Sequence, residues 1–372
     1  MFNPFEKLWG GSKLVLWQKK DNKVLGIDIG HSSAKVVQLK KEHGRVILET
    51  YGEIALGPYG NLAVGQVASL PLEKTKEMLK DLFGEAGITA KSAAFAIPLG
   101  SSLLVILELP DVAGGNFDKI IPIEARKYIP VPISEVELDW WVIPKREGQG
   151  TPSVPGKKTI EVLVVAIHKE VVNQYNEIAK ISELHTEFFE IETISAIRAV
   201  YEGDPSPVGI LDIGAGTSKL AIVDYGVVRL SHTISKGSQD ITVALSRSLD
   251  VDFARAEQIK REVGLMEKED DGKIINIMNT ITDYIFSEVN KALAIYQQKY
   301  RRTISKIILI GGGALLKGML ETAGKSFEVP VTLGHAFGKV EYPAFLDKVL
   351  REIGPSFTVA VGLATRQLER LE

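Results

Sequence analysis

The 372-residue chain carries 44 basic and 47 acidic residues, a net charge of −3, 45% hydrophobic residues and no cysteine. That length and balance imply a globular protein of two to four domains. Disulfides, thiolate metal sites and cysteine nucleophiles are excluded, and the charge gives no bias toward nucleic acid, so no such partner is expected.

In chain order, residues 1–20 place Phe2, Phe5, Trp9 and Trp17 among lysines without the pattern of a signal peptide. Such a tail could touch a membrane, a partner or its own domain. Residues 24–29, 35–40, 46–50 and 52–56 read as a strand meander with turns at Gly30 and His43-Gly44. Met78, Leu79, Leu82 and Phe83 lie at helical spacing within 72–86, and Gly87 ends that helix. Residues 93–97 form a short buried strand stopped by Pro98, which completes an α/β unit.

From 99 to about 180 the pattern changes. Strands are expected at 103–109, 136–143 and 160–168 and helices at 116–128 and 169–182, a small inserted domain with a Gly-, Pro- and Lys-rich hairpin tip at 145–158. A helix is expected over 188–202, broken by Gly203-Asp204-Pro205. Farther on, 227–234 reads as a strand, and 240–249, 252–263 and 274–300 read as the helices of a second insertion. The apolar strand 306–310, of the kind covered on both faces, opens onto Gly311-Gly312-Gly313 and a helix over 315–324. Residues 331–333 and a last helix over 358–370 close the chain.

One motif is written twice. Gly26-Ile27-Asp28-Ile29-Gly30-His31-Ser32-Ser33-Ala34-Lys35 is echoed by Gly209-Ile210-Leu211-Asp212-Ile213-Gly214-Ala215-Gly216-Thr217-Ser218-Lys219, each a strand, a tight turn and a strand. Glycines let backbone N–H groups approach phosphate oxygens, hydroxyls add donors and Lys adds charge. A carboxylate at the strand end would repel a bare phosphate, so its natural partner is hydrated Mg²⁺. One Asp-x-Gly turn is only a hairpin; two in matching register point to a duplicated phosphate clamp. Gly311-Gly312-Gly313 is either a tight structural turn or a nucleoside cradle, and it is not G-x-G-x-x-G. Glu257 and Lys260 share a helix face, as a surface ion pair or as ribose and base contacts. The six histidines show no metal-ligand spacing.

With Ala360-Val361-Gly362-Leu363-Ala364, these residues resemble the actin, Hsp70 and sugar-kinase ATPase superfamily. Within it the chain is most similar to the PilM family, FtsA-like actin homologues of type IV pilus assembly. The likeness rests on the early motif, on Ile123-Glu124-Ala125-Arg126-Lys127-Tyr128-Ile129-Pro130 and on Leu211-Asp212-Ile213-Gly214. It implies an α/β, actin-like ATPase fold with duplicated halves 1A and 2A and inserted subdomains 1C and 2B. Their expected bounds are 1–98, 181–205 and 345–372 for 1A, 99–180 for 1C, 206–236 and 304–344 for 2A, and 237–303 for 2B.

The resemblance also implies ATP and Mg²⁺ as cofactors. Asp28, Gly30, His31, Ser32, Ser33 and Lys35 would hold the nucleotide from one side, and Gly214, Ala215, Gly216, Thr217 and Ser218 from the other. Gly237, Glu257, Lys260, Gly312 and Gly313 complete the expected cofactor contacts, Asp28 and Asp212 face Mg²⁺ through water, and Asp212 and Glu192 are the catalytic candidates. The implied partner is a PilN-like membrane protein whose N-terminal peptide docks in a groove between 1A and 1C. Other pilus motor or platform proteins, and self-association, are further possibilities. No run reaches the roughly 18 to 20 apolar residues of a membrane span, so a cytoplasmic place, peripheral to the inner membrane through the partner, is expected.

Two departures shape the expected activity. A gapless alignment puts Ser195 where actin has the glutamine that orients the attacking water, so at most slow hydrolysis is expected, with Glu190 or Glu192 acting through a water. The chain also ends at Leu371-Glu372, directly after the last helix, where FtsA-like division proteins carry a linker and an amphipathic membrane helix. An ATP-binding assembly scaffold is thus expected ahead of an FtsA-like filament. A small-molecule kinase, with Asp224 or Asp240 as nominal base, comes third.

Overall fold

The computed structural model describes residues 22–110, 117–144, 159–266 and 272–370. The tail 1–20, the expected hairpin tip at 145–158 and the end at 371–372 lie outside the described residues.

The chain opens as a meander of β1 (Lys23–Ile29), β2 (Ser33–Glu42) and β3 (Arg45–Ala55). The two strands expected at 46–50 and 52–56 are one. The register slips by a residue beside Gln38, and pairing then continues through Tyr51 and Gly52. Next come α1 (Leu72–Ala86), ended by left-handed Gly87, and β4 (Ser92–Ile97). The inserted unit follows: β5 (Ser102–Pro110), α2 (Phe117–Ala125), β6 (Val136–Ile143), β7 (Thr159–His168) and α3 (Lys169–Ile181), its strands ordered β5-β7-β6.

The helix expected over 188–202 is instead β8 (His185–Ile191) followed by α4 (Glu192–Val200). Phe188, Phe189 and Ile191 are all buried, because β8 runs parallel beside β4 in a covered sheet. That long-range pairing overrides the local helical pattern.

The second half starts with β9 (Val208–Ile213), β10 (Ser218–Asp224) and β11 (Val227–Ile234) and continues through α5 (Ser238–Leu249), α6 (Phe253–Val263) and α7 (Gly272–Tyr300). It ends with β12 (Lys306–Ile310), α8 (Met319–Ser326) and β13 (Val331–Leu333), after which α9 (Asp347–Arg370) returns to the first half. The expected helix at 315–324 starts later, because Gly312–Leu315 forms a 3₁₀ turn and Leu316 is extended. Conversely, α9 starts well before 358 and carries Pro355 in its interior, where a proline would ordinarily mark a helix end.

The duplication extends to topology. One sheet is ordered β3-β2-β1-β4-β8 and the other β11-β10-β9-β12-β13, each an antiparallel meander extended by two parallel strands. The Lys seven positions after each Asp is explained by register: Asp28 pairs with Lys35 across the hairpin, and Asp212 with Lys219. Cross-strand partners share a face, so both motifs present a carboxylate and an amine side by side. Both turns close on the same bond, Gly30 N–H to Ser33 O at 3.0 Å and Gly214 N–H to Thr217 O at 3.1 Å.

The inserted sheet belongs to two cores. Leu104, Ile143, Leu163, Val165 and Ile167 join the core of the first half, while Leu107, Val162, Val164 and Ala166 pack with Ile121 and Ala125 of α2. A buried ion pair between Glu161 of β7 and Arg229 of β11 ties this sheet to the second half, and the Tyr300 hydroxyl donates to Glu161 at 3.3 Å. No helix among the described residues is long and apolar enough to cross a membrane.

Candidate functional site

Residues of both five-stranded sheets line one cleft of about 390 Å³, a volume suited to a small ligand. Most of the expected site residues meet there: Asp28, Gly30, His31, Ser32, Ser33 and Lys35 from the first turn, Asp212, Gly214 and Ala215 from the second, and Glu192, Glu257, Lys260, Gly312 and Gly313. Gly216, Thr217, Ser218 and Gly237 do not line it. Successive strand residues point to opposite faces, so Lys219 faces the cleft while the Ser218 hydroxyl donates to Lys236 O at 2.8 Å. Gly216 backs onto the His31 ring, and Gly237 lies against the Ala215 carbonyl, beneath the turn.

The twin motifs are wired differently. Lys219 Nζ sits 3.0 Å from Glu192 Oε2 and 3.7 Å from Asp212 Oδ2. Lys35 Nζ instead takes Ser33 Oγ at 2.7 Å and Glu53 Oε1 at 3.0 Å. The Asp28 carboxyl is left with neither hydrogen bond nor ion pair among the described residues. Burial pushes the Asp28 carboxyl up to about 7, although Lys35 and Lys219 oppose the rise. Burial also raises Asp212, against the pull of Lys219. Burial disfavours charge on Lys219 too, but Asp212 and Glu192 outweigh it and hold the ammonium well above the ordinary lysine range. His31 is pulled down by burial and by Lys219.

The glycine run closes the far wall. Gly311 adopts φ +84°, and a Cβ there would collide with Asp212 Oδ1 and the Ile213 carbonyl, so the position accepts only glycine. Gly312 has no neighbour within 4 Å of its missing Cβ. Opposite lie Glu257 and Lys260 of α6, 2.6 Å apart and both buried, which rules out a solvated surface pair. Lys260 Nζ also donates to Thr242 Oγ1 at 2.9 Å and Ser238 O at 3.2 Å, while Thr242 Oγ1 donates to Glu257 Oε2 at 2.6 Å. Burial would raise Glu257, but Lys260, Thr242 and Arg261 hold it below the usual carboxylate range.

Several cleft residues fall outside the expected site set. Lys219 had a signal, its cross-strand register with Asp212. Glu53, Arg261, Lys317, Leu315, Leu316 and Val359 had none, since distant parts of the chain bring them together.

The water-positioning candidates separate. Ser195 is fully buried outside the cleft and donates to Glu190 Oε2 at 2.5 Å. Burial of Glu190 is outweighed by Arg198 and Arg366, which hold it down at about 2. Glu190 is therefore a structural anion and lies away from the cleft. Glu192 does reach it, with Oε1 accepting from Leu99 N–H at 2.6 Å and Oε2 facing Lys219. Neither nominal kinase base lines the cleft. Asp224 takes the Tyr296 hydroxyl at 2.9 Å and Arg302 at 3.0 Å; Asp240 caps α5 through Gly237 N–H at 2.9 Å and pairs with Lys236 at 2.7 Å.

Known proteins share this architecture. The cell division protein FtsA of Neisseria meningitidis is 26% identical over 196 residues, 46% of this chain and 46% of that protein. FtsA of Helicobacter pylori is 25% identical over 234 residues, 55% of this chain and 47% of that protein. The chain spans about half the length of the curated relatives it matches. A solved PilM-PilN type IV pilus biogenesis complex superposes with a TM-score of 0.77 at 24% identity, covering 93% of this chain and 98% of that one. MreB5 of Spiroplasma citri bound to AMPPNP reaches 0.53 at 13% identity, covering 95% and 97%. These likenesses establish the actin-like ATPase fold. The family model described as type IV pilus assembly protein PilM matches residues 26–368. Because that match runs from the first Asp-Ile-Gly strand almost to the end of α9, the chain belongs to the type IV pilus assembly protein PilM family.

Proposed function

We propose that the cleft holds Mg·ATP and that the protein is a nucleotide-dependent scaffold of the type IV pilus inner-membrane assembly platform. The observation that carries this reading is the unpaired Asp28 carboxylate beside Asp212 at a cleft lined by two glycine turns. The described residues contain no cluster of three or more His, Asp or Glu side chains able to enclose a bare ion. Two carboxylates of this kind fit a hydrated divalent cation carried in on phosphates. When bound, Mg²⁺ would neutralise phosphate charge next to Asp28 and Asp212. The turns at 30–33 and 214–217 would hold the phosphates, Gly312 and Gly313 would border the nucleoside, and Glu257 and Lys260 would reach it from α6. Hydrolysis is slow on this reading, because both Glu192 oxygens are already engaged and Glu190 is locked between arginines.

In this account residues 99–180 form subdomain 1C and residues 237–303 form 2B, carried on halves 1A and 2A. The N-terminal cytoplasmic peptide of a PilN-like membrane protein docks between 1A and 1C and keeps the protein at the inner membrane. The likeness to the PilM-PilN complex supports that partner. Nucleotide shifts the angle between the halves only as far as its affinity differs between the two states. Titrating a synthetic peptide from the cytoplasmic start of a PilN-like protein, with and without Mg·ATP, tests this. The two affinities are expected to differ by about 5- to 150-fold; absent or equal binding in both arms contradicts it.

The FtsA likeness supports a second reading, a filament. ATP-dependent sedimentation of the protein alone would favour it. The kinase reading loses its nominal bases, since Asp224 and Asp240 are engaged away from the cleft.

A further inference from the structure

Residues 56–71, between β3 and α1, form a strap whose two ends are fastened to the first phosphate turn. Leu56 N–H donates to Ser32 O and Ala68 N–H to His31 O, each at 2.9 Å. The strap is braced internally: Leu62 N–H bonds Gly57 O at 2.8 Å, Gln66 N–H bonds Ala63 O at 3.1 Å, and the Tyr59 hydroxyl donates to Asp81 of α1 at 2.7 Å. Its last turn crosses to the other half. Val67 N–H donates to Gln239 Oε1 of α5 at 2.6 Å, the strap's one hydrogen bond to the second half among the described residues. A Cβ added at Gly216 in the second turn would come 3.5 Å from Val67 Cγ2, and one at Gly65 would come 3.2 Å from the Glu257 carboxylate carbon at the cleft wall.

We infer that this strap is a gate over the phosphate end of the cleft, with the Val67–Gln239 hydrogen bond as its latch. While the latch holds, the two Asp-Ile-Gly turns stay drawn together beneath residues 67 and 68, and a nucleotide seated between them leaves only after it opens. The latch is the Gln239 side chain alone: Gln239 does not line the cleft, and its backbone N–H donates to Ala215 O of the second turn at 3.0 Å, a bond that a side-chain substitution keeps. This gating rests on the reading of the cleft as a Mg·ATP site.

The test is the dissociation rate of Mg²⁺ with methylanthraniloyl-labelled ATP, followed by fluorescence after a chase with excess unlabelled ATP. Gln239→Ala removes the acceptor and is expected to speed release about three- to tenfold, the equivalent of one exchanged hydrogen bond. Gln239→Glu keeps an acceptor oxygen and should restore slow release, with unliganded melting curves showing that both variants are folded. Wild-type release from Gln239→Ala overturns the gate. Equally fast release from both variants does so too, because it assigns the effect to packing of the first turn of α5. If the folded wild type takes up no labelled nucleotide, the nucleotide reading itself falls, and the gate with it.

Discussion

Asp28 and Asp212 occupy equivalent positions in a duplicated hairpin, and their neighbours make them chemically different. Lys219 reaches Asp212, but Lys35 is drawn away by Glu53. The sign of the Asp28 effect follows from its raised pKa. Between 3.8 and about 7 the native state keeps a proton that the unfolded chain has released, so this group's contribution to stability falls as pH rises through that window. Asp28→Asn removes the titration. The melting temperature of that variant relative to wild type should therefore climb from about pH 5 to pH 8 in metal-free buffer; parallel curves would contradict the assignment. Glu190 behaves in the opposite sense. Held at about 2, it stabilises above its ordinary 4.5 and loses that contribution as pH falls toward 2. The Asp-x-Gly spacing was legible from residues alone, as was the matching lysine. The asymmetry between the motifs was not, because Glu53 comes from a strand with no motif of its own.

At the scale of elements, α9 is the seam of the first half. It packs across β1 and against α4, and the crossing with α4 is so close that a Cβ on Gly362 would strike the Ser195 carbonyl. A backbone oxygen cannot rotate away as a side chain can, so Gly362→Ala should cost at least the usual 1 to 3 kcal/mol or so of overpacking. Urea denaturation measures that loss, and an unchanged midpoint would mean the helices have room to separate. Elements stabilised by their own spacing, such as α1 with Met78, Leu79 and Leu82 on one face, could be read locally. Those fixed by distant partners could not: β8 is a strand because β4 pairs with it, and α9 runs through Pro355 because the first half packs along it. The same holds for Glu257 and Lys260, whose shared face was legible while its burial against α5 was not.

At the scale of the molecule, residues from two sheets of the same topology line one cleft, and the inserted sheet is anchored to both halves. Its attachment to the second half centres on the buried Glu161–Arg229 pair, flanked by Lys299–Glu108 at 2.9 Å. Arg229→Met leaves Glu161 buried without its cation and should cost about 3 to 5 kcal/mol in urea unfolding, with Glu161→Gln in the same chain recovering part of the loss. A change below roughly 1 kcal/mol, the scale of a surface ion pair, would mean the sheet is not held there. The central claim, that the cleft is a Mg·ATP site, is tested most directly by a melting scan of wild type and Asp212→Ala with Mg·ATP at about a hundred times Kd. Wild type should gain about 2.7 kcal/mol, and Asp212→Ala should stay folded and gain clearly less; no gain in wild type, or the same gain in both, would contradict it.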